Sequence, residues 1–389
     1  MKNDTWLTFL ESFFGAIEVD IEIPEDKYEI FAEMPPIFKN VVYSEEESSP
    51  YMTNVILDLK QKFSKSRKLI ASLKATRVLL LSGYLKWLVE KGVVISKVYG
   101  VIPAERGAPF QGFVDWVSNE RRKGDRNTQY AIIGEAAKTV GNSAYGRTGM
   151  NKNKFQKIKY CNEQQFNRAK NNYFYYDAEE YDGMYEVTKN AKTVLQNIPI
   201  QVAFSVLNYA KLRMVEFYYD CISKYLDTTD FQYVYMDTDS AYMALTDKFE
   251  NLIKPELRDE YETDKNNWFP RTDTNENQAH DKRKPGLFKI EYEGDGIIAL
   301  CSKTYFTWGQ KKSKFSSKGA QKERNIELIN IEAYRRCLFN KTAMPCVNKG
   351  FRYVNKQMTT YEQEKIGLTP IYVKGAVMDD GVHSHPLNI

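Results

Sequence analysis

Histidine is nearly missing from this 389-residue chain: His280, His383 and His385 are the whole complement, and two of them sit in the tail. Imidazole therefore cannot dominate any metal or acid–base chemistry here. Cysteine is scarce as well. Cys161, Cys221, Cys301, Cys337 and Cys346 are scattered without a CxxC pair, which excludes a zinc ribbon and a disulfide framework and reads as reduced, mostly buried thiols of an intracellular protein, cytoplasmic or nuclear. No long apolar run exists. The greasiest stretch, Val78 to Leu81 and on to Leu85, is far too short to span a bilayer. Trp6, Leu7, Phe9 and Leu10 are interrupted by Asp4 and Glu11, so the N-terminus is not a secretory signal. Charge of neither sign prevails: 55 Lys and Arg oppose 51 Asp and Glu, net +4. An anionic partner must be met by local patches.

What the chain has is length, apolar content of 42% and 27 tyrosines. That is enough for an α+β protein with about two or three subdomains. Residues 1–15 show no clear pattern. Ile17 to Ile23 alternates apolar and acidic residues, which predicts a strand ended by Pro24. Pro35-Pro36 and Ser44 to Ser49 read as exposed loop. The spacing of Ile70, Leu73, Leu80, Tyr84 and Leu88 predicts one helix over Arg67–Lys91, stopped by Gly92, and Val93–Val101 a strand. Ile200–Leu226 reads as a long helix burying Ala203, Val206 or Leu207, Ala210, Met214, Phe217 and Cys221. Residues 246–283 read as a polar connection. Pro285 to Lys289 reads as the start of a strand region leading to Ile297–Leu300, and the remainder after the Ser316 to Gly319 turn as a small helical piece with an extended tail.

Between the runs Phe231–Met236 and Ala241–Leu245 lies Tyr235-Met-Asp237-Thr238-Asp239-Ser240, a strand, tight turn and strand with two carboxylates at the tip. Mg²⁺ prefers hard oxygen ligands and often takes only one or two carboxylates when substrate phosphates fill its other positions. A plain Asx-rich turn is the alternative. An EF-hand is excluded, because Tyr242 and Lys248 stand where its Gly and Glu are required.

Upstream, Phe113 to Arg126 and Thr128 to Gly146 predict a helical hairpin. Lys138, Asn142 and Tyr145 share one face of its second arm, and Arg122 and Arg126 lie on the first. Cations beside an amide and an aromatic ring suit a nucleoside triphosphate; a solvated amphipathic hairpin is the alternative. Residues 147–176 carry Arg147, Lys152, Lys154, Lys157, Lys159, Arg168 and Lys170, interleaved with Phe155, Tyr160, Phe166, Tyr173, Phe174 and Tyr175, against one acid, Glu163. That suits a nucleic-acid backbone. A second basic stretch runs through Lys311, Lys312, Lys314, Lys318, Lys322 and Arg324.

Three motifs in one order carry a resemblance. Lys138-Thr-Val-Gly-Asn142-Ser143-Ala-Tyr145-Gly146 resembles the fingers motif KxxxNSxYG of family B DNA polymerases, Tyr235 to Ser240 their palm motif YxDTDS, and Lys303-Thr-Tyr305 their KxY motif. Val19 to Pro24, Gln201 to Met214 and Pro285 to Lys289 resemble the protein-primed branch found in viruses and Polinton-type transposons. The resemblance covers roughly residues 16–389 and implies a right-hand fold: an incomplete palm with an antiparallel sheet, a helical fingers hairpin and a small thumb. It divides the chain into residues 1–100 (N-terminal palm with a first insertion), 101–148 (fingers), 149–198 (a basic, DNA-facing second insertion), 199–305 (palm) and 306–389 (thumb and tail).

By the same resemblance, Asp237 and Asp239 are catalytic and hold two Mg²⁺ ions, with Mn²⁺ as a substitute. Lys138, Asn142, Tyr145 and Arg122 or Arg126 bind the incoming dNTP, and Lys303, Tyr305, Ser240 and Lys318 bind DNA. The implied activity is transfer from dNTPs to a primer 3′-hydroxyl or a priming-protein hydroxyl. The implied partners are primer–template DNA, a terminal protein and an upstream polymerase fragment, with no membrane. Two features of the family are absent: the exonuclease domain, and the motif D-x-x-S-L-Y-P that supplies a third carboxylate. Asp4 and Asp20 are the nearest acids to its expected place, and the missing strand would leave a palm edge exposed. A catalytically inactive remnant that only binds DNA is the other reading.

Overall fold

The computed structural model describes residues 3–63, 65–309, 313–354 and 357–387 and divides into two compact units, residues 1–107 with 208–389, and residues 108–207. Lys311 and Lys312 of the second basic stretch lie outside the described residues.

The first unit begins with a helix, α1 (Asn3–Ser12), where the sequence shows no pattern. It is fastened by Leu10, buried in the main core, and Phe9 stacks locally on Phe13 at 4.9 Å. Strand β1 (Gly15–Glu22) follows the predicted alternation and buries Ile17, Val19 and Ile21. A single turn, α2 (Tyr28–Phe31), leads to Pro35 and Pro36, which are buried rather than in an exposed loop because the Pro36 carbonyl accepts from the buried Tyr84 hydroxyl. Strand β2 (Ile37–Tyr43) and helix α3 (Pro50–Asp58) follow.

The helix expected over Arg67–Lys91 does not form as such. The segment splits into β3 (Ser66–Ser72), β4 (Lys74–Leu81) and α4 (Ser82–Glu90). Strand pairing outweighs the leucine spacing. β3 lies along β2, and β4 pairs with β1, whose other edge takes β5 (Val94–Pro103). Ser72 closes the link, accepting from Lys74 N–H at 3.3 Å and donating to its carbonyl at 2.9 Å.

The second unit opens with the helical hairpin α5 (Gln111–Arg126) and α6 (Ala131–Thr148). Glycines let the arms touch: a Cβ on Gly124 would lie 3.2 Å from Gly134 Cα and 3.1 Å from the Tyr130 carbonyl. Strand β6 (Gln156–Cys161), helix α7 (Glu163–Ala169), and strands β7 (Tyr175–Tyr181) and β8 (Met184–Asn190) form a three-stranded sheet in the order β6-β8-β7. Its small core is Cys161, Ala169 and Val187, with Phe166 stacked on Tyr185 at 4.2 Å.

Helix α8 (Ile200–Glu216) begins in this unit and continues into the first. Ala203 and Met214 are buried as expected, but Val206 and Leu207, the two alternatives for the position between them, are both exposed; Asn208 is buried there instead, and its side-chain oxygen accepts from Leu81 N–H at 3.3 Å. The helix then widens into a π-helical turn, Phe217–Ile222, before α9 (Ser223–Tyr225). The extra residue lets Phe217, Tyr218, Cys221 and Ile222 all face the core.

Strands β9 (Phe231–Asp237) and β10 (Ser240–Leu245) form a hairpin that pairs with no third strand among the described residues. One open backbone donor of β9 is met by a side chain: Glu33 accepts from Tyr233 N–H at 2.9 Å and from the Tyr218 hydroxyl at 2.6 Å. The polar 246–283 segment is not a plain connection. It holds α10 (Arg258–Trp268) and α11 (Asn275–Asp281), anchored by buried Tyr261 and Trp268 and by Asp281 accepting from Arg271 at 2.7 Å. Pro285 to Lys289 is not a strand either. Phe288 stacks on Phe217 at 3.8 Å, and its N–H donates to the Trp268 carbonyl.

Strands β11 (Gly296–Cys301), β12 (Thr304–Trp308) and β13 (Lys314–Ser316) form the next sheet, backed by α12 (Ile331–Phe339). The expected extended tail is largely a long hairpin, β14 (Met344–Val354) with β15 (Gln357–Leu368), followed by the short pair β16 (Gly375–Val377) and β17 (Ser384–Pro386). No helix among the described residues is long and apolar enough to cross a membrane.

The corrected burial on α8 has a measurable consequence. Met214→Ala, inside the core, is expected to cost about 2–5 kcal/mol in urea unfolding. Val206→Ala should stay within about 0.5 kcal/mol. Equal costs would mean that the stripe read from the sequence is the buried one.

Candidate functional site

The β9–β10 hairpin turns on Thr238 and Asp239. Asp237 faces Ser240 in register, Met236 faces Ala241 and Tyr235 faces Tyr242. Thr238 has φ +54°, and Asp239 N–H donates to the Asp237 carbonyl at 2.6 Å. An i to i+2 contact around positive φ belongs to the rarer, more strained kind of γ-turn. A β-branched residue there costs about 1–3 kcal/mol. The Ser240 hydroxyl closes the turn by donating to the Asp237 carbonyl at 3.2 Å, so its observed role is to hold the hairpin.

The two carboxylates differ. Asp237 is half-buried. Its Oδ2 lies 3.0 Å from Lys303 Nζ, and its Oδ1 accepts from the Thr238 hydroxyl at 3.2 Å. Burial opposes its ionisation, but Lys303, Thr238 and Tyr235 outweigh burial and hold it below the usual carboxylate range. Asp239 is exposed, and its carboxylate meets no partner among the described residues.

The Lys303-Thr-Tyr305 segment comes directly onto this hairpin. Lys303 occupies the turn between β11 and β12 at φ +64°, and its backbone N–H donates to the Tyr235 hydroxyl at 2.7 Å. The Tyr305 ring lies 5.6 Å from Tyr235 and 4.8 Å from Tyr242, while Tyr235 and Tyr242 are 5.5 Å apart. Burial is the main cause that pushes the Tyr235 hydroxyl up to about 12, so it stays a neutral hydrogen-bonding group. Tyr242, which carries no sequence signal beyond its place in a strand, completes this aromatic cluster. Lys318 lies exposed one turn away, its N–H reaching the Thr304 hydroxyl at 3.4 Å.

The remaining candidates are in the other unit. Lys138, Asn142 and Tyr145 are exposed along one face of α6, with Lys138 Nζ 2.8 Å from Glu135 Oε1. On α5, Arg122 donates to Asn119 Oδ1 at 3.0 Å, and Arg126 is exposed. In the basic segment, Lys157 and Lys159 are exposed on β6, and the Tyr173 ring is almost fully exposed. Acids share that sheet, however: Asp177, Glu179 and Glu180 lie on β7, and Glu186 accepts from the Tyr160 hydroxyl at 2.6 Å.

Neither acid weighed as a third carboxylate joins Asp237. Asp4 lies on α1. Asp20 is taken up within the β4-β1-β5 sheet, accepting from Arg77 N–H at 2.7 Å and from the Tyr99 hydroxyl at 2.9 Å. Among the described residues no group of three or more acidic, histidine or cysteine side chains is placed to hold a metal ion. The donor set on the hairpin fits Mg²⁺ only as two hard carboxylates sharing the ion with a substrate's phosphates, after Lys303 leaves Asp237. No family model, curated protein or solved structure matches this chain.

Two outcomes test the geometry. Thr238→Gly should stabilise the fold by about 1 kcal/mol in denaturant unfolding, since glycine accepts positive φ; destabilisation would refute the strained turn. Lys303→Met should raise the pH at which Asp237 titrates in carboxyl-carbon NMR. A depressed carboxylate contributes stability above the unfolded-chain value and loses it as pH falls through the folded one. With Lys303 mostly exposed, that contribution is about 0–1 kcal/mol. An unchanged Asp237 titration would exclude the ion pair.

Proposed function

We propose that this chain carries out the nucleotidyl transfer of a protein-primed family B DNA polymerase, adding dNTPs on a DNA template to a primer 3′-hydroxyl or a priming-protein hydroxyl. The observation that carries the reading is the union of two motif segments distant in sequence: Lys303 and Tyr305 rest on Asp237, Tyr235 and Tyr242. A plain Asx turn has no need of a lysine on its carboxylate and a tyrosine on its strand.

Divalent ions, two Mg²⁺ or Mn²⁺ in their place, supply activation of the 3′-hydroxyl and neutralisation of the leaving pyrophosphate. Asp237 and Asp239, the latter without a carboxylate partner among the described residues, would hold them. The Lys303 ammonium, now on Asp237, would then be the group to meet a phosphate of the primer terminus. The Tyr235 hydroxyl keeps Lys303 in place through its backbone, so the side chain can exchange partners without the turn moving. Lys138, with Arg122 or Arg126, binds the triphosphate, and Asn142 and Tyr145 line the nascent base pair.

A second reading has its own support. The site lacks a third acid among the described residues, and Lys303 neutralises Asp237. Both suit a chain that binds DNA without extending it. Primer extension with Mg²⁺ and dNTPs separates the two. Template-dependent extension that falls by roughly a thousandfold in Asp239→Ala is expected from loss of a charge-stabilising group. Salt-sensitive primer–template binding with no extension at any Mg²⁺ or Mn²⁺ concentration would favour the binding protein.

A further inference from the structure

The three-stranded sheet of the second unit sorts its charges by face. β8 is the central strand, and its register sets Val187 between Lys159 and Ala178, and Tyr185 between Cys161 and Glu180. This is the face that α7 covers. Val187 is buried with Cys161 and Ala169, and Phe166, Ala178 and Tyr185 pack on the same cluster. Lys157 and Lys189, opposite each other in register, share that side. Side chains alternate along a strand, so the residues between these point the other way.

On the other face, Tyr160 and Glu179 flank Glu186, Ile158 and Asp177 stand in the next row, and Met184 lies beyond Glu186 along β8. Ile158 is 60% exposed, Tyr160 61% and Met184 45%, so this apolar patch is open to solvent. No lysine or arginine of the three strands stands on it. Glu179 and Glu186 are direct cross-strand partners, and like charges so placed cost stability. Tyrosine hydroxyls fix both carboxylates: Tyr181 donates to Glu179 and Tyr160 to Glu186, each at 2.6 Å. No salt bridge reaches Asp177, Glu179 or Glu186 among the described residues.

An exposed apolar patch that carries acids and no base repels a nucleic-acid backbone and suits a cationic partner. The covered face shows how this sheet receives a helix. Phe166 of α7 stacks on Tyr185 at 4.2 Å, and Lys170 Nζ lies 5.5 Å from the Phe166 ring. We propose that the open face of the β6-β8-β7 sheet docks an amphipathic helix of a partner protein, with an apolar stripe flanked by Lys or Arg. Ile158, Tyr160 and Met184 receive the stripe, and Asp177, Glu179 and Glu186 receive the cations, which relieves the repulsion between the two glutamates. This surface is independent of the polymerase reading, and it runs against the DNA-facing role that the resemblance gives to residues 149–198.

The test is fluorescence anisotropy of the full chain with a labelled synthetic Leu/Lys amphipathic helical peptide. A scrambled peptide of the same composition and labelled primer–template DNA are run beside it. Glu179→Gln/Glu186→Gln should weaken peptide binding roughly tenfold, and Ile158→Ser by a similar factor, with DNA affinity unchanged in both. Unchanged thermal unfolding in these variants separates docking from folding. Glu256→Gln/Glu276→Gln, which alters exposed acids of the other unit, should keep wild-type peptide affinity. Wild-type peptide affinity in the first two variants would overturn the docking surface, and so would equal binding of the scrambled peptide. DNA binding lost in Ile158→Ser would assign the face to a nucleic acid and overturn the helix. Self-association by sedimentation that Ile158→Ser abolishes would assign it to a second copy of the chain, with the same consequence.

Discussion

The contact on which the candidate site depends is a pair of hydrogen bonds from one residue. Lys303 donates through its backbone to the Tyr235 hydroxyl and through its ammonium to Asp237. The first bond joins the β11–β12 turn to the β9–β10 hairpin, and the second sets the charge of the carboxylate. Three partly buried tyrosine rings pack beside them, while Asp239 stays exposed. Electrostatics and stacking here reinforce one geometry, since each bond shortens the search of the other. An exposed lysine paired with an acid is worth little in isolation; anchored through its own backbone, it keeps most of its side-chain freedom and can trade a carboxylate for a phosphate.

The hairpin is held from behind by a different device. The π-helical turn Phe217–Ile222 brings both Phe217 and Tyr218 onto the core, and Tyr218 shares Glu33 with the backbone of β9. A two-stranded sheet is marginal alone, so the strained Thr238 turn persists because the strands beneath it are fixed by helix packing and by Glu33. The carboxylate of Glu33 also satisfies a donor that an open strand edge would otherwise present.

Much of this was legible in the residues. The alternation of Ile17 to Ile23, the Phe231–Leu245 hairpin and the two arms around Asn127 follow from period and turn chemistry, and each forms near its expected bounds. The Arg67–Lys91 segment departs from its helical spacing for a physical reason: leucines spaced for a helix face also satisfy a strand when neighbouring strands are available to pair. The same periodicity points Val206 or Leu207 inward, yet the helix turns Asn208 inward, where its side chain meets the Leu81 N–H. Hydrophobic spacing reports that a face exists and leaves open what will cover it.

Local sequence was sufficient for the pieces of chemistry that lie within one turn: two acids on a hairpin tip, a lysine and a tyrosine two residues apart, a lysine, an asparagine and a tyrosine on one helix face. Their chemistry is carried by neighbours along the chain, so it can be read without coordinates. That Lys303 closes on Asp237 and that Asp20 is consumed by Arg77 and Tyr99 could not be read that way. Each joins segments far apart in sequence, and their meeting is set by which apolar surfaces bury together, a property of the whole packed chain.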